Sequence, residues 1–186
     1  MPDSLETLET GDATFSSIIN SVPSIDNSSN FLRDMYSLRD EFFSQIPANS
    51  QRENVRSVWQ ELWAKAMLSL TPEQMNRLGE AFVFAANAHK DQFRKSGDPY
   101  IIHTLNAALI LAGMRLDMAT LEAALLHDTL EDTPVTSEEL ISKFGEDVET
   151  LVKGVTKLAH DDVKEFMSRE DLTSENLRRM FIVMAR

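Results

Sequence analysis

The sequence predicts an all-α protein. Apolar residues recur at helical spacing in one stretch after another, capping residues and turn formers fall between those stretches, and no run alternates in the manner of a half-buried strand. No internal repeat is evident.

Taken in order, residues 1–29 are rich in Ser, Asn and Asp, carry only negative charges and hold no sustained period. They are expected to form a mobile tail, with a short ordered turn near Phe15–Ile19. Residues 30–69 are expected to supply N-terminal helices. Phe31, Met35, Leu38 and Phe42 share one face before the break at Pro47, and Val55, Trp59, Leu62, Trp63 and Ala66 share another. An aromatic stripe of this kind is read as helix packing.

Residues 70–186 are read as one further unit. Thr71-Pro72-Glu73 opens a helix, with Thr71 as N-cap and Pro at the first helical position. Its packing face runs Met75, Leu78, Phe82, Ala85, Ala86 and His89, which assigns His89 to the core. Lys90–Pro99 interrupts the pattern, with a turn at Ser96-Gly97-Asp98-Pro99. A nearly all-apolar helix follows over Ile101–Ala112, with Gly113 as its stop. Asp117 caps the next helix, which is read as running through His127, Asp128, Glu131 and Asp132 to Thr133-Pro134. Only Thr120 and Glu122 are polar between Met118 and Leu126, so this helix is predicted to be central. Thr136-x-x-Glu139 is a capping box for a short helix ending at Phe144-Gly145. Asp147–Leu158 is a further helix with Val148, Leu151, Val152, Val155 and Leu158 on one side. His160–Asp171 is a charged loop or weak helix in which His160 is solvated. Leu177, Met180, Phe181 and Met184 mark an amphipathic helix in which the chain ends.

The bulk properties narrow the function. With 186 residues and 42% hydrophobic content, the chain can build a sizeable core. It shows neither a membrane-length apolar run nor a signal-peptide pattern. The absence of cysteine fits a reducing cytoplasm. A net charge of −12 argues against direct nucleic-acid or anionic-membrane binding, while leaving room for a small anionic substrate in a locally positive cleft.

One cluster stands out. His127, Asp128, Glu131 and Asp132 gather at what reads as the carbonyl end of the most apolar helix, where the helix dipole favours cations. Buried without compensation, such groups would cost several kcal/mol. A metal ion is the simplest repair, and a mixed imidazole and carboxylate set suits Mn, Fe, Zn or Ni. His103, in the neighbouring apolar helix, is a candidate ligand, with a carbonyl-bonded core histidine as the alternative. Arg94-Lys95-Ser96 is the compact basic spot nearby. It is either an exposed loop or a grip for phosphate and base, the guanidinium stacking and the ammonium acting as a point charge.

With these residues in view, four segments resemble the HD-type hydrolase domain of the RelA/SpoT family: AHKDQFRKSGDPYIIH (88–103), AALLHDTLEDT (123–133), FGEDVETLVKGVTKL (144–158) and ENLRRMFIVMA (175–185). The resemblance covers roughly residues 70–186. It implies an HD-domain-type helical bundle and Mn²⁺-dependent removal of the 3′-pyrophosphate of (p)ppGpp, giving pyrophosphate with GDP or GTP. It makes His103, His127 and Asp128 metal ligands and gives Glu131 and Asp132 the task of positioning or activating water. Arg94, Lys95 and Ser96 match the family's guanine-nucleotide contact. Thr156 and Lys157 belong to the shared pattern without an assigned role. The resemblance fixes no oligomeric state.

Two departures accompany it. Thr104 replaces the proline that usually follows the first ligand histidine, a change expected to loosen the helix start while sparing the ligand. The family's last ligand aspartate, in a segment shaped like LADRLHN, has no counterpart before Arg186, and nothing in the context of Asp161 or Asp162 supports a substitution. The expectation is therefore a piece of a longer enzyme, incomplete at its C-terminus. The competing readings are a non-catalytic nucleotide-binding or regulatory module, and an HD phosphohydrolase acting on another nucleotide.

Overall fold

The computed structural model describes residues 29–48 and 51–161, without side chains at 29–30 and 156–161. The tail before residue 29, the side chains of Thr156, Lys157, His160 and Asp161, Asp162, the segment on to Asp171 and the helix expected around Leu177–Met184 all lie outside the described residues. Helices follow one another as α1 (Ser29–Ser44), α2 (Arg52–Ala66), α3 (Pro72–Ala88), α4 (Ile101–Gly113), α5 (Met118–Leu126), α6 (Thr129–Asp132), α7 (Ser137–Phe144) and α8 (Glu146–Asp161). Among the described residues the sole strand-like feature is an isolated antiparallel bridge between Phe93 and Pro99. No described helix is long and apolar enough to cross a membrane.

The caps form where the side chains allow them. Thr71 accepts from the Gln74 amide while the Gln74 side chain accepts from the Thr71 amide, closing a full capping box ahead of Pro72. Asp117 accepts from the Thr120 amide at the start of α5. At α7 the Thr136 hydroxyl accepts from the Glu139 amide, and the helix stops at Gly145, whose φ of 95° suits a residue lacking Cβ.

The end of α4 differs from the expected glycine stop. Gly113 is still helical, and the left-handed residue is Arg115, at φ 57°. The Leu116 amide reaches back to the Leu111 carbonyl and the Arg115 amide to that of Ala112, the two bonds of a Schellman motif. Register sets the stop: the apolar Leu111 and Leu116 both belong in the core, and only a turn centred on Arg115 brings them together.

One hydrophobic core runs from Met35 in α1 to Val155 in α8. Every residue of α5 from Thr120 to Leu126 is buried, as expected of a central helix, and α5 packs against α3, α4 and α8. α2 lies along α4, with Trp59 at its centre, stacked on Phe82 at 4.2 Å and meeting Trp63 edge-on at 5.2 Å. α1 crosses α3 at Gly79, where a Cβ would run into the Phe42 ring. Glu122, the polar residue in the middle of α5, is buried and held by a two-pronged hydrogen bond from Arg77 of α3, at 3.0 and 2.9 Å. The same guanidinium donates to the Phe144 carbonyl and so ties in α7.

The long helix expected from Asp117 to Thr133 is broken. α5 ends at Leu126, His127-Asp128 forms a turn, and Glu131 and Asp132 belong to the separate short helix α6. Side chains have taken the carbonyls that would continue the ladder. His127 Nδ1 bonds the Ala124 carbonyl at 2.8 Å, and the Thr129 hydroxyl donates to that of Leu126 at 2.7 Å. Glu131 and Asp132 are therefore not at the carbonyl end of the apolar helix, and the dipole argument applies to Asp128 alone. Thr104 is fully buried, and its hydroxyl donates to the Ile101 carbonyl in the first turn of α4.

Candidate metal centre

Two consecutive side chains just after Leu126 converge on one point. His127 Nε2 lies 3.0 Å from Asp128 Oδ2, and His103 Nε2, from the first turn of α4, lies 3.6 Å from the same oxygen. One ligand atom from each of the three lies within 4.8 Å of the others. The two imidazoles meet edge to face at 5.2 Å, and both are buried.

Burial opposes charge on His127, but the Asp128 carboxylate, the bond to the Ala124 carbonyl and Asp132 outweigh it and hold the pKa above the ordinary histidine value. On His103 burial dominates, and with help from His127 and Arg94 it brings the pKa down to about 4 against the pull of Asp128. Partial burial opposes charge on Asp128, yet the two histidines and the Tyr100 hydroxyl hold its carboxyl well below the usual range.

These groups fit a divalent ion. The carbonyl bond fixes the proton of neutral His127 on Nδ1, so Nε2 turns a lone pair toward a carboxylate oxygen. Lone pair against lone pair is repulsive, and a cation between them, a proton or a metal, resolves it. Two imidazole nitrogens and a carboxylate oxygen are a donor set for a borderline transition metal, and His127 already has the outer hydrogen bond that orients such ligands.

Of the other residues singled out in the sequence, Arg94 directly and Asp132 through Tyr100 connect to this trio. Arg94 is half-buried, with Nη1 3.3 Å from His103 Nδ1. Lys95 and Ser96 are exposed at the turn, where the Ser96 hydroxyl donates to Asp98. Glu131 is half-buried in α6, and Asp132 is exposed beside it with its carboxylate on Tyr100.

Sequence reasoning missed Tyr100. Its hydroxyl lies 2.7 Å from Asp128 Oδ2 and 3.0 Å from Asp132 Oδ2, joining the two acidic residues. Burial, followed by the two carboxylates, pushes its pKa far above the ordinary phenol value. Its place three positions before His103 is a spacing that shares a helix face, but that alone does not mark a phenol as functional. His89, assigned to packing, is indeed buried, but its ring stacks on Tyr100 at 4.8 Å. Gln92, between the two, bonds both His89 and the Asp132 carbonyl.

Comparison with known proteins shows what the chain is similar to. The chain is 49% identical over 115 residues to the guanosine-3′,5′-bis(diphosphate) 3′-pyrophosphohydrolase of Vibrio cholerae serotype O1, covering 62% of this chain and 16% of that protein. It is 47% identical over 106 residues to a GTP pyrophosphokinase of Myxococcus xanthus, covering 57% and 14%. It is 45% identical over 115 residues to the bifunctional (p)ppGpp synthase/hydrolase SpoT of Escherichia coli K12, covering 62% and 16%. The chain thus spans about a sixth of the length of these curated relatives. Residues 81–186 match the HD domain family, taking in α4, α5 and all three converging side chains, and the chain belongs to that family.

Proposed function

We propose that the chain carries the metal-dependent hydrolase activity that removes the 3′-pyrophosphate of (p)ppGpp, giving GDP or GTP and pyrophosphate. The observation that supports it most is the convergence of His103, His127 and Asp128 on one point, flanked by Asp132 and Arg94, in a chain similar to proteins named for that reaction. In this reading His103, His127 and Asp128 hold a divalent ion, Mn²⁺ by family resemblance, with Fe²⁺ or Zn²⁺ compatible with the donor set. The chemistry such an ion supplies is Lewis-acid polarisation of phosphoryl oxygen and neutralisation of developing charge.

The chain's own residues do the rest. Glu131 and Asp132 orient the attacking water and take its proton on a carboxylate oxygen. Water adds to phosphorus as the bond to the ribose 3′-oxygen breaks, and that oxygen leaves with a proton. Arg94 offers a planar fork for phosphate or a stacking face for the base, Lys95 a point charge and Ser96 a hydroxyl. The location consistent with a cysteine-free chain and a nucleotide substrate is the cytoplasm.

The test is incubation with Mn²⁺ and ppGpp, following pyrophosphate release. Release that stops on chelation and in Asp128→Asn supports the assignment; release indifferent to both overturns it.

A further inference from the structure

Three residues behind the candidate centre form a connected brace. The Gln92 amide nitrogen lies 2.5 Å from the Asp132 carbonyl oxygen. A carbonyl only accepts, so this contact fixes which end of the amide is nitrogen. The amide oxygen therefore faces His89 Nδ1, at 2.8 Å, and must accept from it. His89 is thus held with its proton on Nδ1, and its Nε2 is buried without a partner among the described residues. Burial lowers the pKa of this ring, which keeps it neutral. The His89 ring lies nearly parallel to Tyr100, 22° between planes, and is only 2% exposed. Tyr100 in turn places its one hydroxyl between the carboxylates of Asp128 and Asp132.

Asp132 is therefore gripped twice, through its backbone by Gln92 and through its side chain by Tyr100. Both grips lead back to His89 at the end of α3. Exposed carboxylates ordinarily sample several rotamers. Here the phenol draws Asp132 toward the oxygen of Asp128 that the two ligand histidines face.

We infer that His89, Gln92 and Tyr100 are positioning residues, which hold the Asp132 carboxylate in register with Asp128 so that the group receiving the water's proton stands at a set distance from the metal ligands. This rests on the roles proposed above for Asp128 and Asp132. It adds three residues that neither composition nor helical spacing marked as functional.

Tyr100→Phe keeps the ring and its stacking on His89 and removes only the hydroxyl. His89→Phe keeps the stack and removes the donor to Gln92. Mn²⁺ alone is titrated into the full chain by calorimetry, and Mn²⁺-supported ppGpp hydrolysis is followed for kcat and KM separately. Loss of an outer-sphere partner predicts a fall of about 10- to 100-fold in Mn²⁺ affinity or in kcat for Tyr100→Phe, with KM little changed. His89→Phe is expected to move in the same direction by a smaller factor. A merely structural role would instead lower the melting temperature of the metal-free chain and leave affinity and kcat of the folded fraction intact, and that result overturns the inference.

Long-range ¹H–¹⁵N spectra of the imidazoles separate this inference from the hydrolase reading. If wild type binds no Mn²⁺, the metal assignment fails, yet a shifted His127 Nε2 resonance in Tyr100→Phe still supports the brace on Asp128. An unshifted resonance, or wild-type affinity and kcat in Tyr100→Phe, sinks it.

Discussion

His127 and Asp128 are neighbours in the chain, and their side chains nevertheless meet, Nε2 to Oδ2 at 3.0 Å. In an unbroken helix they would point about 100° apart. Both backbones keep helical-region dihedrals, so it is the reach of the two side chains that brings Nε2 and Oδ2 together, and their contact calls for a cation.

Proton and metal therefore compete for one position, which gives metal binding a definite pH dependence. The pKa of His127 is raised, so below it a proton must leave before the ion enters, whereas His103, at about 4, is already neutral. Mn²⁺ affinity should fall up to about tenfold per pH unit below the His127 pKa and level off above it, with about one proton released per ion at the acidic end. Calorimetry in two buffers of different ionisation enthalpy counts that proton. A flat affinity with no release contradicts the arrangement.

Arg94 makes a second, less intuitive prediction. Its guanidinium, which only donates, lies 3.3 Å from His103 Nδ1 and disfavours added positive charge there. Arg94→Gln should raise Mn²⁺ affinity by a few-fold, on the order of 1 kcal/mol, while weakening ppGpp binding. Separate titrations with Mn²⁺ and with nucleotide distinguish the two effects. If both affinities fall together, the residue supports the centre rather than opposing the ion.

The Arg77–Glu122 pair should dominate stability away from the site. Arg77→Met leaves a buried carboxylate uncompensated, at a cost of about 3 kcal/mol, moderated because the arginine is half-exposed. Burial already raises the Glu122 pKa despite Arg77, so the native state takes up this proton more readily than the unfolded chain. The loss should thus be largest above the folded-state pKa and shrink as pH falls through it. Urea unfolding at neutral and mildly acidic pH gives the comparison, and a loss that grows on acidification would refute it.

Two backbone positions call for opposite substitutions. Gly79→Ala drives a methyl group into the Phe42 ring, and overpacking should outweigh the gain in helix propensity, for a net loss of about 1–2 kcal/mol. Phe42→Leu in the same chain should relieve part of that loss, a non-additivity visible in a double-mutant cycle. Arg115→Gly, by contrast, should stabilise by about 1 kcal/mol, because its positive φ strains any residue with a Cβ. Thermal melts of the single variants decide the signs.

Much of this architecture was legible in the residues. Thr71 and Asp117 announced helix starts because their side chains have no better use than capping the amides that follow them. The oily run from Met118 to Leu126 announced a central helix, and His103, His127 and Asp128 drew attention as polar groups where burial needs a reason. The break between Leu126 and Thr129 was not legible, since it depends on the His127 ring and the Thr129 hydroxyl winning carbonyls from the backbone. Nor was the approach of Arg94 to His103, which requires the chain to fold back on itself through the Phe93–Pro99 bridge. Tyr100 escaped because a phenol is ordinary in a core, and what it bonds is settled by the helix break, not by its own surroundings in the sequence.

The family match begins at residue 81, in the middle of α3, whereas Phe82 stacks on Trp59 and α4 leans along α2. Anyone cloning only the matched region would discard the wall behind the histidine-bearing helix and bare the greasy flank that includes Phe82. Expression boundaries for this chain belong upstream of α1, and clumping of a shorter product would say nothing about its chemistry.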